Sequence, residues 1–387
     1  MEGETIRQFE SVDQLSGMKY VAAMPDGHPG KGGPVGGAFA SEYIHPTLVG
    51  SDIGCGIALW ITNIKSKKAK CEKIAEKLNG LDSINENFDS RQYLEKYGID
   101  TTIHDITLGT PGHGNHFCEI QKVNTIFDNK IFKSLNLTPE YLYMLVHSGS
   151  RGLGETILRD ITSKIGSDSI NLDSNIGQEY IKNHNTAVIW AKANRDFCAN
   201  KMSNRLKCES SNILDICHNS VTSAIIAGCN CWLHRKGAAP SNAGPVMIPG
   251  SRGDFSYLVL PNLNREDALW SIAHGAGRKI ARGEAKGKLK SNNTKQSLTQ
   301  NKFGGKVICG DDNLIWEEAP ECYKNIDSVV ADLVSHDLIN VIASFEPLVT
   351  FKTSEGAKIK KTKYKKDWKK DRTQAREEKY NRQTKGY

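Results

Sequence analysis

Apolar residues recur at three- and four-residue spacing over residues 68–79, 178–205, 212–227 and 326–338, which predicts four amphipathic helices, the second of them long. Between them, short runs rich in β-branched and aromatic residues at 141–146, 245–248, 257–260 and 345–351 predict strands. Glycine-rich segments join these runs. Neither an internal repeat nor a linker breaks the pattern before residue 353. The expected fold is α+β, one domain over residues 1–353 followed by a tail over 354–387. Residues 282–305, rich in Lys, Asn and Gln, read as a polar surface excursion.

Charge sharpens the boundary of the tail. Residues 358–387 hold thirteen Lys or Arg against four Asp or Glu, a net of +9 in a chain whose total is +7, so the body is close to neutral. Tyr364, Trp368 and Tyr380 lie among those lysines. Cations that meet phosphate, interleaved with rings that stack on bases, suit single-stranded nucleic acid. The chain is long enough to bury a large core unaided. Its ten cysteines form no C-x-x-C pair and no framework spacing, which argues for reduced thiols. The first residues, MEGETIRQFESVDQ, lack the apolar stretch of a secretory signal, and no run approaches a membrane span, so a cytoplasmic location is expected.

The chemistry gathers on glycine-rich segments. Residues 24–56 contain an Asp-x-His pair, Asp26 and His28, and an Asp-x-x-Cys pair, Asp52 and Cys55. One hard and one soft ligand at that spacing suit zinc, manganese or iron better than magnesium or calcium. His116, His147, His218, His234 and His274 stand in similar settings, most beside glycines, in expected loops; His218 falls in a predicted helix. Imidazole is the commonest protein ligand for transition metals. Arg151, Arg235, Lys236 and Arg278 accompany the same segments and suit anionic ligands. No Walker A sequence is present.

In order along the chain, PDGHPGKGGPVGG, SDIGCG, GHGNHFCE, HSGSRGLG, HRKGA, IPGS and HGAGR resemble the signature blocks of the RtcB RNA-splicing ligases, from about residue 24 to 352. The resemblance implies a single RtcB-like catalytic domain with a buried dinuclear manganese site. It also implies GTP as cofactor and the joining of RNA ends bearing a 3′-phosphate or 2′,3′-cyclic phosphate to ends bearing a 5′-hydroxyl. Carried over by motif, Asp52, Cys55, His116, His147 and His218 are expected metal ligands, with the cysteine thiolate shared. His274 matches the histidine that becomes guanylylated. Nucleotide recognition would fall to Asn115, Phe117, Glu119, Ser251, Gly275, Ala276, Gly277, Arg278, Tyr323 and Lys352. Arg151, Arg235 and Lys236 are expected to face RNA or triphosphate, with Asp26 and His28 in support near the reacting groups.

The chain departs from the pattern of many members at Gly27, Pro29, Gly54, Arg252, where Met is usual, and His113. Its short body resembles the branch associated with a release-factor homologue, which implies RNA repair, with an accessory activating protein as a possible partner. Two other functions fit parts of the pattern: a dinuclear metal phosphoesterase acting on RNA ends, and a non-catalytic RNA-binding protein. His274 separates them, because only ligation needs a covalent carrier.

Overall fold

A computed structural model describes residues 2–83 and 88–354 of the chain. The expected tail therefore lies outside the described residues, except for Ser354, whose amide donates to Asp82 Oδ2 at 3.2 Å.

A large mixed sheet forms the centre of the fold. Its strand order is Val246–Pro249, Ser256–Pro261, Ile339–Thr353, Phe117–Ile126, Tyr141–Ser148, Gly56–Lys65 and Ser210–Cys217, all antiparallel neighbours, with Lys306–Cys309 added in parallel to Ile339–Thr353. The side-chain period of two divides these strands between two cores. Ile57 and Leu59 join one apolar cluster, and Ala58 and Trp60 the other. Tyr143 and Leu145 likewise oppose Leu142, Met144 and Val146. The first core lies against a four-stranded antiparallel sheet of order Met18–His28, Val35–Ser41, Cys229–Lys236 and Asn219–Ile226, and against helix Ile326–Ser335. The second lies under helices Cys71–Leu78 and Asn175–Leu206, the latter 32 residues long.

The predicted helices at 68–79, 178–205 and 326–338 are present as Cys71–Leu78, Asn175–Leu206 and Ile326–Ser335; three of the four predicted strands fall within observed ones, and 245–248 is shifted by one residue to Val246–Pro249. The exception is 212–227, which is two strands meeting at His218. In that segment Leu214 and Ile216 face the core at a spacing of two, and the stretch after it is rich in Val, Thr and Ile, which favour a pleated surface over a helix. The polar excursion 282–305 contains helix Arg282–Leu289, whose Ala285 and Leu289 pack with Leu298, Ile315 and Trp316 in a small core of their own.

Candidate active site

Antiparallel order places alternate strand ends together. Phe117–Ile126 begins, Tyr141–Ser148 ends, Gly56–Lys65 begins and Ser210–Cys217 ends on the same edge of the large sheet, with Phe117 opposite His147, and Gly56 opposite both Ser148 and Cys217. His116, His147, Cys55 and His218 occupy those four ends. Cys55 Sγ lies 3.3 Å from His116 Nε2 and 3.2 Å from His147 Nε2; His147 Nε2 lies 3.3 Å from His218 Nε2. Asp52 Oδ2 is 2.7 Å from His116 Nε2. The five expected ligands therefore converge, although they come from four separate chain segments. His147 ends a strand and His218 bridges two strands, where a loop and a helix were expected.

Two consecutive residues of the long helix hold these ends in place. Asn194 Nδ2 donates to Ser148 Oγ at 2.9 Å and to Thr110 O at 3.2 Å, while its Oδ1 accepts from Gly109 N at 2.8 Å. Arg195 Nη1 donates to Gly54 O at 2.8 Å and Ser148 O at 2.9 Å, and its other nitrogens pair with Asp215 at 2.9 and 2.6 Å. The residue before Cys55 and the residue after His147 thus share one guanidinium. No motif marks either side chain; the available signal is an Asn-Arg pair on the face of a long helix that buries mostly apolar groups.

Burial pushes the Cys55 thiol well above its ordinary range and His147 and His218 well below theirs, which leaves both imidazoles neutral with lone pairs to offer. Burial would also raise Asp52, but the neighbouring His116, with Cys55 and Arg151, outweighs it and holds the carboxyl low. Donor separations of 3.2–3.3 Å match the edges of a coordination shell with bonds of about 2.0–2.3 Å. One thiol, one carboxylate and three imidazoles gathered at the cavity wall fit a transition metal: the cation would compensate the buried donors and draw the proton from the thiol.

His274 follows strand Ser271–Ala273, and its ring centroid lies 4.7 Å from that of His218. Its Nδ1 sits 2.7 Å from Asp26 Oδ2, and its amide donates to the same oxygen at 3.3 Å. Asp26 is fully buried, within an irregular stretch of the Met18–His28 and Val35–Ser41 pairing. Two glycines allow that burial. At Gly36 (φ 85°) a Cβ would fall 2.9 Å from Asp26 Oδ1, and at Gly277 (φ 72°) one would fall 2.1 Å from Asp26 O. His28 Nδ1 contacts Asp26 O at 3.0 Å, and burial pushes the ring down to about 4, so it stays neutral.

Both groups of residues open on one cavity of about 860 Å³. Among its described lining residues are eight Lys or Arg and four Asp or Glu, a balance suited to a polyanion. Asn115, Phe117, Ser251, Gly275, Ala276, Gly277, Arg278, Tyr323 and Lys352 line it. Glu119 sits behind the wall: its carboxylate accepts from Gln121 Nε2 at 2.6 Å and from the Thr350 hydroxyl, and burial pushes it up to about 7. A buried carboxylate that does line the cavity is Glu318, one not singled out in the sequence although it stands in EEAPECYK just before Tyr323. Arg278 Nη1 reaches it at 3.0 Å and Tyr323 donates to it. Burial would raise Glu318, yet Lys352, Arg278 and Arg282 together hold it low.

Other expected contacts fall elsewhere. Lys236 lines the cavity, but its ammonium is committed to Lys31 O, Gly33 O and Thr47 O at 2.7, 3.0 and 3.1 Å. Arg151 lies beside Gly112 and within reach of the Asp52 charge. Arg235 borders a second cavity of about 580 Å³ and donates to Ser271 Oγ and Trp270 O. His234 is fully buried in its strand, accepting from His45 N at 2.9 Å, a structural rather than a ligating role.

Comparison with known proteins agrees with this arrangement. The family model described as tRNA-splicing ligase RtcB matches residues 8–105 and 85–353. RNA-splicing ligase RtcB2 of Escherichia coli is 41% identical over 359 residues, covering 92% of this chain and 94% of its own. The tRNA-splicing ligase RtcB of Methanococcus maripaludis is 30% identical over 440 aligned positions, covering 90% and 91%. RNA-splicing ligase RtcB homolog 1 of Entamoeba histolytica is 28% identical, covering 90% and 83%. The longer alignment to the archaeal protein for nearly the same share of this chain means that the archaeal protein carries insertions this chain lacks. On the breadth of that match and the convergence of its signature residues, the chain belongs to the RtcB ligase family.

Proposed function

We propose that the protein is an RNA ligase, dependent on GTP and manganese, that joins ends bearing a 3′-phosphate or 2′,3′-cyclic phosphate to ends bearing a 5′-hydroxyl. The observation that supports this best is the placement of His274, a histidine oriented by a buried carboxylate, on the same cavity as the Cys55–His147–His218 group. Hydrolysis by a metal centre needs no such nucleophile.

In this reading Asp52, Cys55, His116, His147 and His218 hold manganese, which neutralises phosphate charge when bound. Asp26 keeps the His274 proton on Nδ1 and leaves the Nε2 lone pair to attack the α-phosphorus of GTP. The N–P bond forms as the bond to the bridging oxygen breaks and pyrophosphate leaves; Asp26 stabilises the cationic ring that results. The phosphoramidate then breaks as an RNA 3′-phosphate oxygen takes GMP, and attack by the 5′-hydroxyl expels GMP. A cyclic end is first opened by water. Asn115, Phe117, Ser251, Tyr323 and Lys352, with Glu119 behind Thr350, form the nucleotide walls, while Arg278 ties the His274 turn to Glu318.

RNA repair is the setting we favour, on the resemblance of the short body to the branch associated with a release-factor homologue. A cytoplasmic location belongs to the same reading; no described helix is long and apolar enough to cross a membrane. The basic tail is assigned to RNA contact. The test is incubation with α-labelled GTP and manganese. Label that is acid-labile and alkali-stable should appear on the wild type and be absent from His274→Asn; equal labelling of both would exclude the mechanism.

A further inference from the structure

The smaller cavity, of about 580 Å³, lies behind the His218 corner. Cys217 and Ser220 line it while His218 and Asn219 line the larger one, and on strand Cys229–Lys236 it is Arg235 that faces the smaller cavity and Lys236 the larger. Ser210–Cys217 and Asn219–Ile226, which flank it, are edge strands of the two sheets, so no further described strand closes over it.

Arg235 is 6% exposed, and its guanidinium is placed by neutral groups alone. Nε donates to Ser271 Oγ at 2.9 Å, that hydroxyl donates to Leu269 O at 2.9 Å, and Nη2 donates to Trp270 O at 3.2 Å. Leu269 and Trp270, with φ of 51° and 44°, both occupy the left-handed region that bulky residues avoid, so the turn presenting those two carbonyls is held at a cost. Nη1 bonds to nothing among the described residues, yet it is not one of the occluded polar atoms, so it is open to the cavity that Arg235 lines. No described carboxylate pairs with Arg235. Asp215 lines the same cavity, but its Oδ1 accepts from Arg195 at 2.9 and 2.6 Å. Burial pushes the Arg235 guanidinium down to about 10.

A buried cation without a counter-charge is costly, and the open nitrogen shows where an anion would relieve it. With Nε and Nη2 committed, the fork that grips a carboxylate with two parallel bonds is taken, and one nitrogen remains for a single oxygen. Ser220 stands directly opposite Arg235 in the strand pairing, and Thr222, two residues on, shares that face; both line the cavity, so hydroxyl donors accompany the charge. Phosphate can accept from all three at once through separate oxygens.

We propose that the smaller cavity is a phosphate-group site, in which Arg235 supplies the charge and Ser220 and Thr222 supply hydroxyls. The phosphate belongs either to an RNA strand or to a free phosphate ion. The site goes beyond the ligase reading, since none of the residues assigned to metal, GTP or His274 takes part in it.

Calorimetric titration of inorganic phosphate, without metal, into wild type, Arg235→Met, Arg235→Lys and Thr222→Asp tests it. Phosphate also meets the cations of the larger cavity, alike in all four proteins, so the signal is the difference between them. Wild type should show a saturable site that Arg235→Met weakens by about tenfold or more, the worth of a charge-assisted hydrogen bond. Arg235→Lys keeps the charge, loses the tie to Ser271 and Trp270, and should fall between. Thr222 is exposed, so Thr222→Asp leaves every bond of Arg235 in place and adds a carboxylate on its face. It should weaken the site as well, and it carries the test if the Arg235 variants do not fold. A 5′-hydroxyl RNA oligomer then separates the sources: loss of the Arg235-dependent phosphate binding places an RNA phosphate in the cavity, and its persistence assigns the cavity to free phosphate. Equal phosphate binding by wild type and the folded variants would mean that water alone covers Arg235. Acetate competing as strongly as phosphate would remove the phosphate assignment. Either result overturns the proposal and leaves the ligase reading untouched.

Discussion

Asp26 Oδ2 stands 2.7 Å from His274 Nδ1, although the two residues are 248 positions apart in the chain. In the proposed mechanism this carboxylate holds the ring proton on Nδ1. Asp26→Asn keeps the shape but gives up the charge, and an amide nitrogen turned toward the ring would favour the wrong tautomer. We expect self-guanylylation to slow by about two orders of magnitude or more while GTP affinity changes only a fewfold. Single-turnover labelling beside equilibrium binding checks this; parallel losses in both would point to a collapsed pocket.

Metal loading should stabilise the fold, because the ligands come from four segments and a cation binds only when they are assembled. Manganese at about a hundred times its dissociation constant is expected to add about 3 kcal/mol. Cys55→Ser should remove most of the rise in melting temperature and of the bound metal. Thermal scans with metal analysis decide it; an undiminished rise would show that the metal binds elsewhere.

Arg195 is 1% exposed and its partner Asp215 is part-buried. Arg195→Met leaves that carboxylate unpaired and unties Gly54 from Ser148, for an expected loss of about 3 kcal/mol or more in denaturant unfolding. Manganese affinity should fall as well, although Arg195 touches no metal. Unchanged affinity in a folded variant would mean that the ligands need no such tie.

Glu119 makes stability depend on pH. Its folded value of about 7 lies above the 4.5 of the unfolded chain, so the native state binds the extra proton and stability falls as pH rises through that window. Glu119→Gln removes the effect. The variant should gain on wild type by about 3 kcal/mol between pH 4.5 and pH 7.5. A constant difference across that range would show that the carboxyl ionises freely when folded.

The sequence singled out the five candidate metal ligands and His274, which the fold brings together, because they stand in short blocks where glycine and reactive side chains coincide. It revealed Asn194, Arg195 and Glu318 poorly for the opposite reason. The first two lie inside an unbroken helical pattern, and what makes them important is where that helix lands. Most of their targets are backbone groups, at Gly54, Gly109, Thr110 and Ser148, which carry no side-chain signature. The segment around His218 was misread because its apolar spacing satisfies both periods, and only pairing with Gly56–Lys65 and Cys229–Lys236 decides for strands. Glu119 and Arg235 show the converse: each has the right residue type in the right block, yet one carboxylate is held behind Thr350 and the guanidinium turns to another cavity.

His218 also sits where the edge strand of the large sheet passes into the edge strand of the small one, its amide bonded to Cys55 O and its carbonyl accepting from Ala238 N. It is the corner post of the sandwich. A cation gripped there would pin one sheet to the other like a latch, so emptying the centre should loosen this corner first and raise amide hydrogen exchange at residues 217–219 before the distant edges of either sheet respond.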